Sequence, residues 1–175
     1  MSIPSPTSEE YAPFYADYVQ RAIARGDIVA ALSTQPDEIK AALGNLSDSQ
    51  ARFRNGPGEW SIKEVVSHLI DGERVFSYRL LRISRKDKTP MSGFEQTDYV
   101  RESIADNLPL NDLLDEFEYL RRANTLAIKN MPEEAVDQVG NASGVAISAR
   151  ALIFILAGHV EHHMASLKEK YLPFA

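Results

Sequence analysis

Cysteine is absent from the 175 residues. That excludes disulfides, a thiolate nucleophile on the chain and any cysteine-ligated metal. Long apolar runs are missing too, since none approaches the ~18–20 residues that a membrane-spanning helix needs. The formal net charge is −6 and the basic residues are scattered, so the concentrated basic face of a nucleic-acid binder is not present. Met1 to Glu10 lacks a basic stretch followed by an apolar one and does not read as a secretory signal. Strand-like alternation and internal repeats are equally wanting. The expectation is a cytoplasmic protein without nucleic-acid or membrane partners.

What is present is an apolar fraction of 44% and a charged fraction of 25%, enough for one domain, 1–175, with a real core. The first twenty residues carry Tyr11, Phe14, Tyr15 and Tyr18 among Pro4, Pro6 and Pro13. That reads as a strap packed on the body, or as part of a pocket wall. From Asp27, a plausible N-cap, Ile28, Ala31, Leu32, Ile39, Ala42, Leu43 and Leu46 follow helical spacing. Pro36 predicts a kink there or two abutting helices.

Asn55 to Gly58 is a loop, and Ser61 with Glu64 forms a capping box for a helix reaching Ile83 or Arg85. Its stripe is Ile62, Val65, Val66, Leu69, Phe76, Leu80 and Ile83. Glu73 falls inside that stripe, where a carboxylate needs a partner. Arg79 is one candidate.

Lys86 to Asn107 is polar and long for a simple connection, with a short helix near Asp98 to Ser103. Leu110 to Met131 is the next helix. Its early Asp112, Asp115, Glu116 and Glu118 and late Arg121, Arg122 and Lys129 match the helix dipole and ask for no functional role. Pro132 to Gly144 reads as a loop, and Ser148 caps a last helix to Tyr171, stopped by Pro173. Four long amphipathic segments make an all-α four-helix bundle, with the long connection crossing from one end to the other.

Three of the four histidines lie in Ala157-Gly158-His159-Val160-Glu161-His162-His163-Met164. His159 and His163, at i, i+4, share one helix face and fall in the buried stripe. His162 falls at its edge and Glu161 points away. The fourth, His68, flanks the stripe of the capped helix, with Gly72 and Arg79 on the same side. Gly72, one turn on, leaves space beside it. A single buried histidine is ordinarily a hydrogen-bonded core residue, whereas two neutral imidazoles side by side need a shared purpose. A divalent metal supplies one, and three neutral histidines suit Zn, Ni or Fe(II) with coordination positions left open.

The segments Trp60-Ser61-Ile62-Lys63-Glu64-Val65-Val66-Ser67-His68-Leu69-Ile70-Asp71-Gly72-Glu73 and Ala157 to His163 resemble the DinB/YfiT-like superfamily of metalloenzymes, unrelated to the DNA polymerase that shares the DinB name. The likeness extends over nearly the whole chain, including Asp87-Lys88-Thr89-Pro90 and the N-terminal Tyr11-Ala12-Pro13. The resemblance implies a four-helix bundle with a long crossover, a homodimer, and a metal site carried here by His68, His159 and His163. It also implies either transfer of a low-molecular-weight thiol (bacillithiol, glutathione or mycothiol) to an electrophile, or hydrolysis.

Thiol transfer is the leading reading, because a chain without cysteine fits a thiol brought by a cosubstrate. A metal-dependent hydrolase is the alternative, and a non-catalytic metal-binding or stress-response bundle is the rival from another class. Glu73 is the candidate catalytic residue, to orient a histidine or accept a proton, with a structural arginine pair as the competing role.

Overall fold

The computed structural model describes residues 3–175; Met1 and Ser2, the start of the expected 1–175 domain, lie outside the described residues. The caps read from the sequence set the starts of three of the four long helices. The Asp27 carboxylate accepts from the amides of Val29 and Ala30 at 2.9 and 3.0 Å. Ser61 accepts from Glu64 at 3.0 Å while the Glu64 carboxylate takes the Ser61 amide at 2.9 Å. Ser148 accepts from Ala151 at 2.9 Å. Each satisfies an amide that the first turn would otherwise leave unpaired.

In chain order the elements are α1 (Ala16–Ala24), α2 (Ile28–Leu43), α3 (Asp48–Ala51), α4 (Ile62–Ser84), α5 (Gln96–Glu102), α6 (Leu110–Lys129), β1 (Val139–Ala142), β2 (Val145–Ser148) and α7 (Ala149–Ser166). A π-type turn, Leu167–Tyr171, extends α7. The long helices α2, α4, α6 and α7 form the bundle, in which α7 packs on α2 and α4, and α6 packs on the same two. α2 runs unbroken through Pro36, so the abutting pair of helices does not form.

Two apolar clusters fill the interior. One takes the C-terminal halves of α2 and α7 with the N-terminal halves of α4 and α6, and the other takes the opposite halves plus α1. Hence α4 and α6 run parallel, and the chain between them must return along the whole bundle. That is the expected long crossover.

Two elements depart from the sequence reading. The aromatic N-terminal segment contains α1, which packs on α7 where Gly158 has no side chain: a Cβ there would stand 1.8 Å from the Tyr18 carbonyl oxygen. The stretch read as a loop before Ser148 ends in an antiparallel hairpin, with Ala142 paired to Val145 and Val139 to Ser148. Its turn residues Ser143 and Gly144 both have positive φ, +56° and +80°, as a two-residue hairpin turn requires. The crossover adds to this hairpin: the Met91 amide donates to the Asn141 carbonyl at 3.0 Å, and the Ser143 amide to the Met91 carbonyl at 2.9 Å.

Candidate metal centre

α4 and α7 run in opposite directions against each other, which brings His68 opposite His159 and His163. Their ring centroids stand 4.7 to 4.8 Å apart, pair by pair. The Nε2 atoms of His68 and His159 are 2.9 Å apart, and one nitrogen from each of the three lies within 4.8 Å of the others. His68 and His159 are buried and His163 is half-buried.

Gly72 permits this approach, although differently from the sequence expectation. A Cβ on it would stand 2.6 Å from Cε1 and 2.8 Å from Nδ1 of His159. The space read as room for a ligand is therefore taken by an imidazole.

Burial is the first cause of the titration behaviour. It pushes His68 down to about 4, with His162 adding to it, and His163 down to about 3, with His68 and then His162 adding. His159 is driven well below the ordinary histidine range by the same burial, then by His163, His68 and Arg121. All three are neutral at neutral pH, the form with a lone pair to give. Among the described residues, His68 keeps a buried Nδ1 without a partner, and His163 a buried Nε2. Buried polar atoms are normally satisfied. Partnerless nitrogens in a neutral three-imidazole cluster fit a divalent ion. His162 is half-buried, its ring 5.0 Å from that of His163, and its Nδ1 is turned to an Asp17 carboxylate oxygen at 2.8 Å.

Beside the cluster lies a cavity of about 650 Å³ whose wall includes His68, His159, Gly72, Phe76, Tyr15 and Tyr18. Tyr18 and Phe76 stand 5.4 and 5.5 Å from the His159 ring, and Trp60 4.9 Å from that of His68. The N-terminal aromatics thus take both expected roles, since Tyr15 is packed in the core and also faces the cavity. Arg79, Gly93, Phe94 and Ser143 close the far side. The hairpin turn that supplies Ser143 has a sequence signal, the Ser143-Gly144 dipeptide followed by Val145 and Ile147 at alternating positions.

Glu73 is not in this wall. Arg121 donates to its Oε2 from Nε at 3.0 Å and from Nη2 at 2.7 Å, and Asn124 donates to its Oε1 at 2.8 Å. The partner that its position demanded is Arg121, not Arg79. Arg121 also bonds Gln35 and the Leu156 carbonyl. Gln35 donates to the Ala157 carbonyl at 2.9 Å and to Glu161 at 2.7 Å, and Arg25 donates to Glu161 at 3.1 Å. Glu161 therefore faces α1 and α2 through these bonds rather than pointing away.

Among curated proteins, one from Geobacillus thermodenitrificans (strain NG80-2), named "Putative metal-dependent hydrolase", is 26% identical over 141 residues, 79% of each chain. A protein of the same description from Oceanobacillus iheyensis is 25% identical over 140 residues, 78% of this chain and 79% of its own. Among solved structures, YfiT from Bacillus subtilis, described as a probable metal-dependent hydrolase with an unusual four-helix bundle topology, superposes with a TM-score of 0.75. It is 17% identical, over 81% of this chain and 82% of that one. A mycothiol-dependent maleylpyruvate isomerase superposes at 0.64, 13% identical, over 78% of this chain and 58% of that one. These likenesses carry the fold. Among the described residues no helix is long and apolar enough to cross a membrane. The DinB superfamily pattern matches residues 31–167, which span both histidine-bearing helices, and the chain belongs to that superfamily.

Proposed function

We propose that the chain, a single bundle domain over 1–175, is a metal-dependent enzyme whose ligands are His68, His159 and His163. The observation that carries this reading is the convergence of three neutral imidazoles, two with buried partnerless nitrogens, at the edge of the cavity. A divalent cation held there (Zn, Ni or Fe) would supply a Lewis acid that makes a thiolate or hydroxide available near neutral pH.

The protein's own part is threefold. Burial keeps the imidazoles unprotonated, and Gly72 lets His159 close on α4. Tyr15, Tyr18 and Phe76 offer a substrate an apolar bed, while burial raises both tyrosine pKa values and keeps their hydroxyls as donors. Glu73, with both oxygens engaged away from the cavity, fits a positioning role better than an acid–base one.

Transfer of a low-molecular-weight thiol to an electrophile stands first. The chain has no thiol of its own, and the cavity has room for a small cosubstrate. The mycothiol-dependent neighbour supports it. Hydrolysis stands second, supported by the names of the curated relatives.

Purified protein is expected to carry about one divalent metal per chain, read by elemental analysis. The His159→Ala, His163→Ala double variant is expected to lose it while keeping its helical circular dichroism. Full occupancy in that variant would sink the site. A conjugation screen with several thiols, run beside esterase and amidase screens, separates the two activities. Metal without turnover of either kind would favour the non-catalytic bundle. The homodimer implied by the resemblance is read by light scattering, and the expected cytoplasmic location by fractionation.

A further inference from the structure

Arg79 is the observation that the proposed chemistry leaves over. Its side chain is 2% exposed, yet it faces the cavity. Nη2 donates to the Ser92 carbonyl at 3.0 Å and to Ser143 Oγ at 2.9 Å, while Nη1 has only the Tyr15 hydroxyl, at 3.5 Å. All three partners are neutral. Among the described residues no carboxylate lies within ion-pair distance of it, although the other buried guanidinium, Arg121, has Glu73 at 2.7 Å. Glu95, also in the cavity wall, is exposed and reaches no cation.

Burial of a charge without a counter-charge is strongly unfavourable. The neutral oxygens therefore fix the guanidinium in place without cancelling its charge. The crossover and the hairpin turn are held together around it, and its unfilled side faces the cavity.

We propose that Arg79 is the anchor for a carboxylate on the substrate, so that the enzyme takes small monoanionic acids. Its position on α4 adds the shape of that acid. His68, Gly72, Phe76 and Arg79 share one face, and His68 and Arg79 are eleven residues apart, roughly 16 Å along the axis. His159 and His163, on the antiparallel α7, complete the histidine end of that span. Between the two ends the wall includes Tyr18 and Phe76, which flank His159, and Tyr15, which stands between Phe76 and Arg79. A carboxylate at Arg79 and a reacting centre beside the histidines are thus joined by an apolar or aromatic middle. One guanidinium matches one carboxylate in charge.

This inference deepens the metal-enzyme reading and rests on it for the reacting end only. The test is calorimetric binding of a phenylalkanoate series, phenylacetate to 6-phenylhexanoate, against the matching primary amides. It uses metal-loaded and metal-stripped wild type, Arg79→Gln and Arg79→Lys, with the folding of each variant checked by circular dichroism. The expected result is an acid of one length binding at least about tenfold more tightly than its amide, a factor set by one charge-assisted contact. The preference should persist in metal-stripped protein, shrink in Arg79→Lys and vanish in Arg79→Gln.

The wild-type comparison holds even if Arg79→Gln fails to fold. Acid and amide binding alike, no acid of the series binding, or a preference that survives Arg79→Gln and disappears on metal removal would each overturn the anchor. That last outcome leaves the metal site standing. Conversely, a charge preference at Arg79 in a protein that never binds metal would leave the anchor and remove the metal-enzyme reading.

Discussion

His68 and His163 titrate near 4 and 3, against about 6.5 for a histidine in the unfolded chain. Between those values the unfolded state binds protons that the folded state refuses, so stability rises with pH across that window. Metal-stripped protein is therefore expected to be fully stabilised by these groups above about 6.5 and to weaken as pH falls toward 4. The loss down to pH 4 should be on the order of 3 kcal/mol per histidine, read by chemical denaturation at a series of pH values. The His163→Ala variant should show a shallower slope over the same window, and an equal slope would remove burial of that imidazole as the cause. His159 and His163 were legible in the sequence because polar side chains at apolar positions of a helix are conspicuous, and His68, on the flank of its stripe, because it is the one histidine outside that helix. Gly72 was half legible. Its spacing marked a gap beside His68, but which neighbour fills a gap depends on how closely α7 approaches, and no single helix encodes that.

Gly158 shows what such approach does at the level of elements. It has the Tyr18 carbonyl of α1 where a side chain would be, so α1 lies against α7 and puts Tyr18 into the cavity wall. Gly158→Ala forces backbone apart rather than a flexible side chain, and is expected to destabilise the protein by about 1–3 kcal/mol. Hydrogen exchange over residues 16–24 should quicken more than over α4 or α6. Uniform exchange across the helices would mean that α1 is not docked through this contact. The long helices were readable from their caps and apolar spacing. α1 was not, because its nine residues follow directly on a stretch of prolines and aromatics and read as part of one strap until Val19 and Ala22, both fully buried, are seen as one helical face. The hairpin escaped for a related reason. Four-residue strands give too few alternations to stand out, and Ser143-Gly144 is a weaker turn signal than Asn-Gly. The missed hairpin carries Ser143, so the same shortness hid one wall of the cavity.

Across the whole molecule, the two apolar clusters are separated by one polar layer. Gln35 lies between Leu32 and Ile39 on α2, Glu73 between Ile70 and Phe76 on α4, and Arg121 between Phe117 and Ile128 on α6. On α7 the layer falls at Leu156 and Ala157, whose carbonyls accept from Arg121 and Gln35, immediately before His159. Arg121 was read as a dipole charge because it sits beside Arg122, yet it falls in register with Leu114, Phe117, Thr125 and Ile128. A guanidinium in one stripe and a carboxylate in another are a pair that the sequence holds separately and only packing joins. Removing one partner leaves the other charged and buried, so Glu73→Ala is expected to lower stability by about 3–5 kcal/mol. Replacing both, as Glu73→Leu with Arg121→Met, removes both charges and should recover most of that loss. The paired variant is the informative one. With stability restored, a bundle that needs the layer only for folding would bind metal as well as wild type. If the bonds to Leu156 and Ala157 set the rotation of α7, metal affinity should fall in the paired variant despite its stability, read by competition with a chromophoric chelator. Unchanged affinity would reduce the layer to a folding device. A fall would tie the placement of His159 to an ion pair on two other helices.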